Sequence, residues 1–274
     1  MCKSERDTHR VDLTLKELRR RMLMENDLCN MSPVYVLGCG HSGNTLMAAL
    51  IARHPDVWAQ FSGPQVKETA YFKNQKKLAK ALAECDKKGK RLMMEKRPKN
   101  VHSIDQIRSE FPFARVLMMV RDPHQVVPSL MKRRMSYEGA LKRYITDNKP
   151  LLGRMNHSLN MVVRYEDLVA HPLNIIQSAF RFASLRAERS ICHSVLQPRT
   201  NGKTTAPASS GRKHGKLRNW EVEQPVSSSF ADSAKRFGIH LSPDYLHHLE
   251  CATFPYITAF GYSFRTEVKN CSTL

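Results

Sequence analysis

The fold is decided by the stretch Val34-Tyr35-Val36-Leu37-Gly38-Cys39-Gly40-His41-Ser42-Gly43-Asn44-Thr45, which continues as Leu-Met-Ala-Ala-Leu-Ile. The branched apolar run 34–37 predicts a buried strand, and the apolar run after Thr45 predicts a helix. The glycines between them predict a tight loop. A loop between a strand and a helix aims several backbone N–H groups and the helix dipole at one point, so this stretch predicts a site for an anion.

Strands and helices alternate along the rest of the chain. Further strands are predicted at 57–61, 91–94, 115–120 and 160–165. Helices are predicted at about 44–53, 73–88, 101–110, 123–134, 137–150, 172–183, 188–197 and 243–251. This alternation predicts an α/β fold in which a central parallel sheet of about five strands carries helices on both faces.

The composition indicates a globular protein with an anionic partner. The chain has 274 residues, with 41% hydrophobic and 25% charged residues, and its 44 Lys and Arg against 25 Asp and Glu give a net charge of +19. Such a surplus favours a nucleic acid, an anionic membrane, an acidic polysaccharide or a phosphate-rich nucleotide. Aromatic residues make up only 8%, and no recognition motif interleaves them with basic residues, so a nucleic-acid partner is not predicted.

One domain over 1–274 is expected, with an amphipathic helix within 1–30 and a basic loop at 199–220. No apolar run approaches the roughly 18 residues that would predict a membrane span. The seven cysteines show no CxxC spacing and no carboxylate cluster suggests a metal site, so we expect reduced thiols and a cytoplasmic protein that needs no metal. The alternative is a luminal domain whose N-terminal anchor lies outside this sequence.

Three interpretations of the glycine loop compete. A dinucleotide fingerprint wants an acidic residue at the end of the second strand, but Asp56 precedes that strand. A nucleoside-triphosphate loop of the form GxxxxGK[ST] wants a lysine where this chain has Asn44, which weakens the contact to a transferred phosphoryl group. The third interpretation is the 5′-phosphosulfate loop of sulfotransferases, Lys or Arg followed by Ser-Gly-Thr-Thr, which 41–45 match weakly.

Further segments follow the loop in a characteristic order. They are Lys67-Glu68-Thr69-Ala70-Tyr71-Phe72, Glu95-Lys96-Arg97-Pro98, Arg121-Asp122-Pro123 with Ser129, Val163-Arg164-Tyr165-Glu166-Asp167-Leu168, and Arg212-Lys213-His214-Gly215-Lys216-Leu217-Arg218-Asn219-Trp220. With them, residues 33–221 resemble the sulfotransferases that depend on 3′-phosphoadenosine 5′-phosphosulfate (PAPS). The motifs are most similar to those of the carbohydrate (heparan sulfate-type) and bacterial enzymes. The resemblance implies a three-layer, P-loop-like fold.

The resemblance also implies roles for individual residues. Glu68 would be the general base, and Lys96 and His41 would stabilise the moving sulfonate and the leaving oxygen. His41 departs from the family, which usually has Lys or Arg there. The residues implied to bind the cofactor are Gly40, His41, Ser42, Gly43, Asn44 and Thr45 at the 5′-phosphosulfate, Arg121 and Ser129 at the 3′-phosphate, and Arg212, Lys213, His214, Gly215, Lys216 and Arg218 in a covering loop.

The function implied is transfer of a sulfuryl group from PAPS to a hydroxyl or amine, which leaves the desulfated nucleotide PAP and requires no metal. The acceptor would be a carbohydrate, possibly an anionic glycan, or a small hydroxylated metabolite. A P-loop-like kinase of small molecules and a non-enzymatic polyanion-binding module stay open as alternatives. The sequence predicts no oligomeric state.

Overall fold

The computed structural model of the protein describes residues 33–62, 65–197 and 241–267. Within these ranges five parallel strands form one sheet in the order β2-β5-β1-β6-β7. Their bounds are β1 Val34–Gly38, β2 Val57–Ala59, β5 Leu92–Lys96, β6 Arg115–Val120 and β7 Asn160–Arg164. A separate antiparallel ribbon pairs β3, Phe61–Ser62, with β4, Gln65–Val66. The predicted parallel sheet is therefore confirmed.

Helices cover both faces of this sheet. They are α1 Asn44–Ala52, α2 Gln75–Lys87, α3 Ile104–Glu110, α4 Pro123–Met131, α5 Tyr137–Leu152, α6 Tyr165–Ala170, α7 Pro172–Phe182, α8 Arg189–Leu196 and α9 Pro243–Ala259. Two short 3₁₀ turns, Tyr71–Lys73 and Pro98–Ser103, precede α2 and α3. One core holds the apolar faces of α2, α3, α4, α5 and α9, and the other holds those of α1, α6, α7 and α8.

Strand β1 lies in the middle of the sheet, which explains its sequence. It pairs with β5 on one side and with β6 on the other. Tyr35 and Leu37 enter one core while Val34 and Val36 enter the opposite core. A central strand that is buried on both faces needs a continuous apolar run, and this is the pattern at 34–37.

Several element bounds differ from the expected ones for local reasons. The strand predicted at 57–61 is interrupted after Ala59, because Phe61 pairs with Val66 in the ribbon. The strand predicted at 91–94 continues to Lys96, which bridges to Glu68. The last helix continues to Ala259 rather than ending near 251. The predicted N-terminal helix and the whole basic loop at 199–220, with all its predicted cofactor contacts, lie outside the described residues.

Cysteines and possible membrane segments add two findings. Cys39, Cys85 and Cys192 are free and buried, in line with the expected reduced thiols. Cys251 is instead disulfide-bonded. Within the ranges that the structure covers, every helix is too short or too polar to cross a membrane.

Candidate functional site

The glycine loop joins the carboxyl end of β1 to the start of α1 in the centre of the sheet. Gly43 has a left-handed φ of 88°, and a Cβ on it would lie 2.3 Å from Cδ2 of Tyr165. Both the φ angle and the contact restrict this position to glycine. His41 also has a positive φ, 73°, so the loop turns sharply around it. The backbone thereby curls in front of the N-terminus of α1.

Two side chains of the loop differ in their hydrogen bonding. The Asn44 amide donates to the Cys39 carbonyl over 2.8 Å, so the residue in the place of a nucleotide-binding lysine ties the loop together. The Ser42 side chain is fully buried. Its hydroxyl oxygen makes no hydrogen bond to any residue that the structure describes. Buried hydroxyls are normally paired, so Ser42 offers a donor to a ligand in the loop.

Arg121 and Ser129 meet at His41. The Arg121 guanidinium donates to the His41 carbonyl oxygen over 3.2 Å. The Nδ1 atom of His41 lies 2.7 Å from the Ser129 hydroxyl. Arg121 comes from the end of β6 and Ser129 from α4, and their side chains are buried. The structure therefore brings together the Arg and Ser that the sequence predicted as partners, with His41 between them.

Tyr165 lies in the candidate site, although the sequence analysis assigned no binding or catalytic role to it. Its ring lies 4.0 Å beneath the Arg121 guanidinium carbon, and it is the same ring that approaches Gly43. A cation over an aromatic face is held in place by the ring quadrupole. Tyr165 thus fixes Arg121 and the glycine loop relative to each other, and the Arg-Tyr-Glu-Asp-Leu segment was the signal for it.

A buried charged network supports the turn after Arg121. The two ring nitrogens of His124 lie 2.6 Å from Asp122 Oδ1 and 2.8 Å from Glu250 Oε1. Carboxylates only accept, so both nitrogens of His124 donate. Burial works against ionisation of Asp122, but the hydrogen bonds from His124 and the nearby cationic groups, Arg265 among them, together outweigh it and lower the pKa of Asp122. Glu250 further accepts from the backbone N–H groups of Arg265 and Thr266, so α9 and the chain after it clamp this turn.

Glu68 and Lys96 form a second group at the carboxyl end of β5. The Lys96 ammonium donates to Glu68 Oε1 over 2.9 Å, with the Lys96 side chain 2% exposed and that of Glu68 46% exposed. Lys96 is in register with Val36 of β1, two residues before Gly38. The ion pair therefore stands at the same edge of the sheet as the glycine loop, on the neighbouring strand.

Glu95, next to Lys96, positions the segment that carries Glu68. Its carboxylate accepts from the Tyr71 backbone N–H over 2.7 Å and from the Asn100 amide over 2.6 Å. Burial raises the pKa of Glu95 to about 7, although these two hydrogen bonds oppose the rise. Adjacent residues of a strand point to opposite faces. At this strand end, Glu95 therefore binds the 67–72 segment through the Tyr71 N–H, while Lys96 binds the Glu68 carboxylate.

The predicted site residues thus fall into two groups on the structure. His41, Arg121 and Ser129 form one, and Glu68 and Lys96 form the other. Gly40, Ser42, Gly43, Asn44 and Thr45 lie in the loop or in the first turn of α1. The covering-loop residues Arg212, Lys213, His214, Gly215, Lys216 and Arg218 lie outside the described residues.

Comparison with protein families identifies a match over the middle of the chain. Residues 58–189 match the model of the sulfotransferase family. The matched range includes the segments around Glu68, Lys96, Arg121 and Tyr165, and it begins after the glycine loop. None of the curated proteins matches the chain.

Solved structures share the fold at low identity. The sulfotransferase domain of the curacin biosynthetic pathway is 18% identical, with a TM-score of 0.60, over 85% of this chain and 98% of that one. The sulfotransferase domain of the Synechococcus PCC 7002 olefin synthase is also 18% identical, with a TM-score of 0.60, over 85% and 96%. A sulfotransferase of Mycobacterium avium is 10% identical, with a TM-score of 0.54, over 94% and 83%. The arrangement of strands and helices is that of these proteins.

Proposed function

We propose that this chain is a sulfotransferase that takes the sulfuryl group from PAPS, because residues 58–189 match the sulfotransferase family model. The proposed acceptor is a hydroxyl or amine of a carbohydrate or of a small hydroxylated metabolite. PAP would be the second product. The observation that carries this proposal is the Glu68–Lys96 ion pair beside the glycine loop, since it sets a base and a cation next to an anion site.

The residues present fit the two ends of such a donor. The Ser42 hydroxyl and the loop N–H groups up to Thr45 suit the 5′-phosphosulfate, because they are donors at a helix N-terminus. Arg121 and Ser129 suit the 3′-phosphate, because a guanidinium is a planar fork for phosphate oxygens. The basic residues between Arg212 and Arg218 are proposed to cover the nucleotide.

Glu68 is proposed as the general base. Its carboxylate is half exposed, so an acceptor hydroxyl can reach it from solvent. Glu68 would take the hydroxyl proton as the acceptor oxygen forms its bond to sulfur and the bond from sulfur to the nucleotide oxygen breaks. The reaction asks the protein for position and charge rather than for covalent chemistry, as in phosphoryl transfer.

Lys96 is proposed to stabilise the sulfonate during transfer. Its ammonium is almost completely buried, so its charge acts at short range with little screening by water. The hydrogen bond to Glu68 holds the ammonium in place before substrates bind. His41 is proposed to contact the leaving oxygen, and its bond to Ser129 links the two phosphate sites of the donor.

Exposed basic side chains near the ion pair support an anionic acceptor such as a sulfated or carboxylated glycan. Lys67 and Lys73 lie on the segment that carries Glu68, and Lys99 follows the strand that ends at Lys96. Each is exposed, so none of them serves the core. A cationic rim of this kind raises the local concentration of an anionic substrate.

A transfer assay with sulfur-labelled PAPS tests the proposal. The full chain is incubated with labelled PAPS and a panel of anionic glycans, neutral glycans, phenols and small hydroxylated metabolites. Label transferred to one class, with PAP released in equal amount, is the expected result. Failure of the protein to bind PAP in a calorimetric titration would overturn the proposed donor, whatever the acceptor panel shows.

A further inference from the structure

The glycine loop contains no lysine or arginine of its own. Between Gly38 and Thr45 the only side chain that can become cationic is that of His41. Its Nδ1 atom is engaged with Ser129, on the side of the site where Arg121 lies. A phosphosulfate in the loop carries negative charge that backbone N–H groups alone offset only in part. Any lysine or arginine that binds a phosphosulfate in the loop must therefore come from another part of the fold, as Lys96 does in the proposed function.

Arg143 of α5 reaches the loop from outside. Its Nη2 atom lies 2.9 Å, and its Cζ atom 3.4 Å, from the point where a Cβ on Gly40 would sit. A side chain at residue 40 would therefore require the guanidinium to move from this position. The guanidinium packs directly against the turn that precedes His41 and Ser42.

Asp147 holds Arg143 in this direction. One turn further along α5, its Oδ2 lies 3.4 Å from Arg143 Nε, while its Oδ1 lies 2.9 Å from Nε2 of His102. The contact uses the Nε edge, so the Nη2 end of the guanidinium is the one that lies at Gly40. Asp147 is itself buried, which makes the pair more rigid than an exposed one.

The Cys39 thiol also faces Asp147, and it is neutral. Burial, followed by the charge of Asp147, raises the pKa of the Cys39 thiol well above its ordinary value. Cys39 therefore stays a thiol near neutral pH and adds no negative charge beneath the loop. The three atoms nearest to a Cβ on Gly40 all belong to Arg143, so the arginine lies closer to the glycine turn than Asp147 does.

We propose that Arg143 binds the 5′-phosphosulfate end of the donor and adds a permanent positive charge to the N–H groups of the loop. Asp147 is a positioning residue that acts through Arg143. This inference rests on the proposed function, because it assigns a residue to the donor site. It predicts that the 5′ and 3′ ends of the nucleotide depend on different arginines, Arg143 and Arg121.

Two nucleotides that differ only at the 5′ end test the proposal. Binding of PAP and of adenosine 3′-phosphate, which lacks the 5′-phosphate, is measured by calorimetry on the full chain. For Arg143→Gln we expect PAP to bind about 10- to 100-fold more weakly, and adenosine 3′-phosphate to change by less than about twofold. Arg143→Lys should lie between the wild type and Arg143→Gln, since it keeps the charge but loses the fork.

Lys142→Gln is the matched control, because it removes the same charge from the exposed neighbouring position of α5. It should leave the affinity for PAP close to that of the wild type. An equal loss in Lys142→Gln and Arg143→Gln, or an equal loss for both nucleotides, would overturn the role of Arg143. If the wild type binds PAP and Arg143→Gln binds it as well, only this inference fails. If the wild type itself does not bind PAP, the proposed function fails and this inference falls with it.

Discussion

At the scale of single residues, the two members of the ion pair at the end of β5 differ in exposure. Lys96 is buried, and its ammonium is held by the carboxylate of the half-exposed Glu68. The buried Lys96 ammonium can act on a bound group with little screening by water, and the exposed Glu68 carboxylate can contact an acceptor from solvent. This difference in exposure supports our proposal that Glu68 is the base and Lys96 the stabilising cation.

Glu68→Gln should remove turnover while it preserves donor binding. The amide keeps the shape and can still accept from Lys96, but it cannot take a proton at neutral pH. We expect a fall in kcat of about 10²- to 10⁴-fold, with the affinity for PAP unchanged. Single-turnover transfer of labelled sulfate and PAP calorimetry measure the two quantities.

The control for this change is Glu138→Gln, which alters an exposed glutamate at the start of α5. It should leave kcat unchanged. Near-normal turnover in Glu68→Gln would exclude Glu68 as the general base.

Gly43→Ala should damage both the loop and the ligand site. Its φ of 88° is unfavourable for alanine, and the new Cβ would lie 2.3 Å from the Tyr165 ring. We expect a loss of about 1–3 kcal/mol in the free energy of unfolding and a weaker affinity for PAP. Urea unfolding and calorimetry measure these effects.

Gly153→Ala is the matched control for Gly43→Ala. It ends α5 with a φ of −73°, and nothing lies within 4 Å of its added Cβ. Unfolding should change by no more than about 0.5–1 kcal/mol, in the stabilising direction. Equal behaviour of the two variants would contradict the contact between Gly43 and Tyr165.

At the scale of elements, α9 contributes to the site through a buried charge. Glu250 accepts hydrogen bonds from His124, which in turn holds Asp122 just after Arg121. The C-terminal helix thereby supports the turn that presents Arg121. Removing the Glu250 carboxylate should therefore lower the free energy of unfolding more than the affinity for the nucleotide.

Glu250→Gln should lower the free energy of unfolding by about 1–3 kcal/mol, because an amide NH2 would replace a carboxylate oxygen that accepts from His124 or from the backbone N–H groups of Arg265 and Thr266. Urea unfolding followed by circular dichroism measures the loss. Glu188→Gln, an exposed position before α8, is the control and should change stability by less than about 0.5 kcal/mol. A loss no larger than that of the control would mean that the network does not stabilise this end of the protein.

The strands illustrate what sequence patterns can predict. The apolar runs at 34–37 and 115–120 are central strands buried on both faces, and their pattern predicted them within a residue. The strand at 57–61 was predicted too long, because the pairing of Phe61 with Val66 depends on the return of the chain. Patterns give the apolar segment, while its end is decided by a partner elsewhere in the sequence.

The site shows the same division. The resemblance to sulfotransferase motifs identified Arg121, Ser129, Glu68 and Lys96. The structure brings Arg121 and Ser129 together at His41 and pairs Glu68 with Lys96. Arg143 could not be predicted, because Lys142 and Arg143 are adjacent basic residues of one helix. Only the packing of α5 against the loop decides which of them faces Gly40.

At the scale of the whole molecule, buried carboxyl groups make stability depend on pH. Burial raises the pKa of Glu95 to about 7, and it also raises the pKa of Glu166 above its ordinary value. The folded protein therefore binds protons more tightly at these groups than the unfolded chain does. Between about pH 4.3, where an unfolded glutamate titrates, and about pH 7, the contribution of Glu95 to stability should therefore fall as pH rises.

Glu95→Gln should reduce this slope, because an amide does not ionise. The part of the slope due to Glu95 corresponds to about 3 kcal/mol over that range. Urea unfolding at pH 5, 6 and 7 measures it. Glu84→Gln on α2 is the control and should keep the slope of the wild type. An unchanged slope in Glu95→Gln would show that Glu95 titrates as it does in the unfolded chain.

The packing of Gly43 on Tyr165 has a consequence for how the enzyme is made. The glycine loop emerges early from the ribosome, yet its contacts come from Arg121, Ser129, Arg143 and Tyr165, far along the chain. Bringing such distant segments together is the slow part of folding. We therefore expect the candidate site to form only after the sheet has been assembled from β1 to β7. A nascent chain that stops before Tyr165 would contain the loop, but we expect it not to bind a nucleotide.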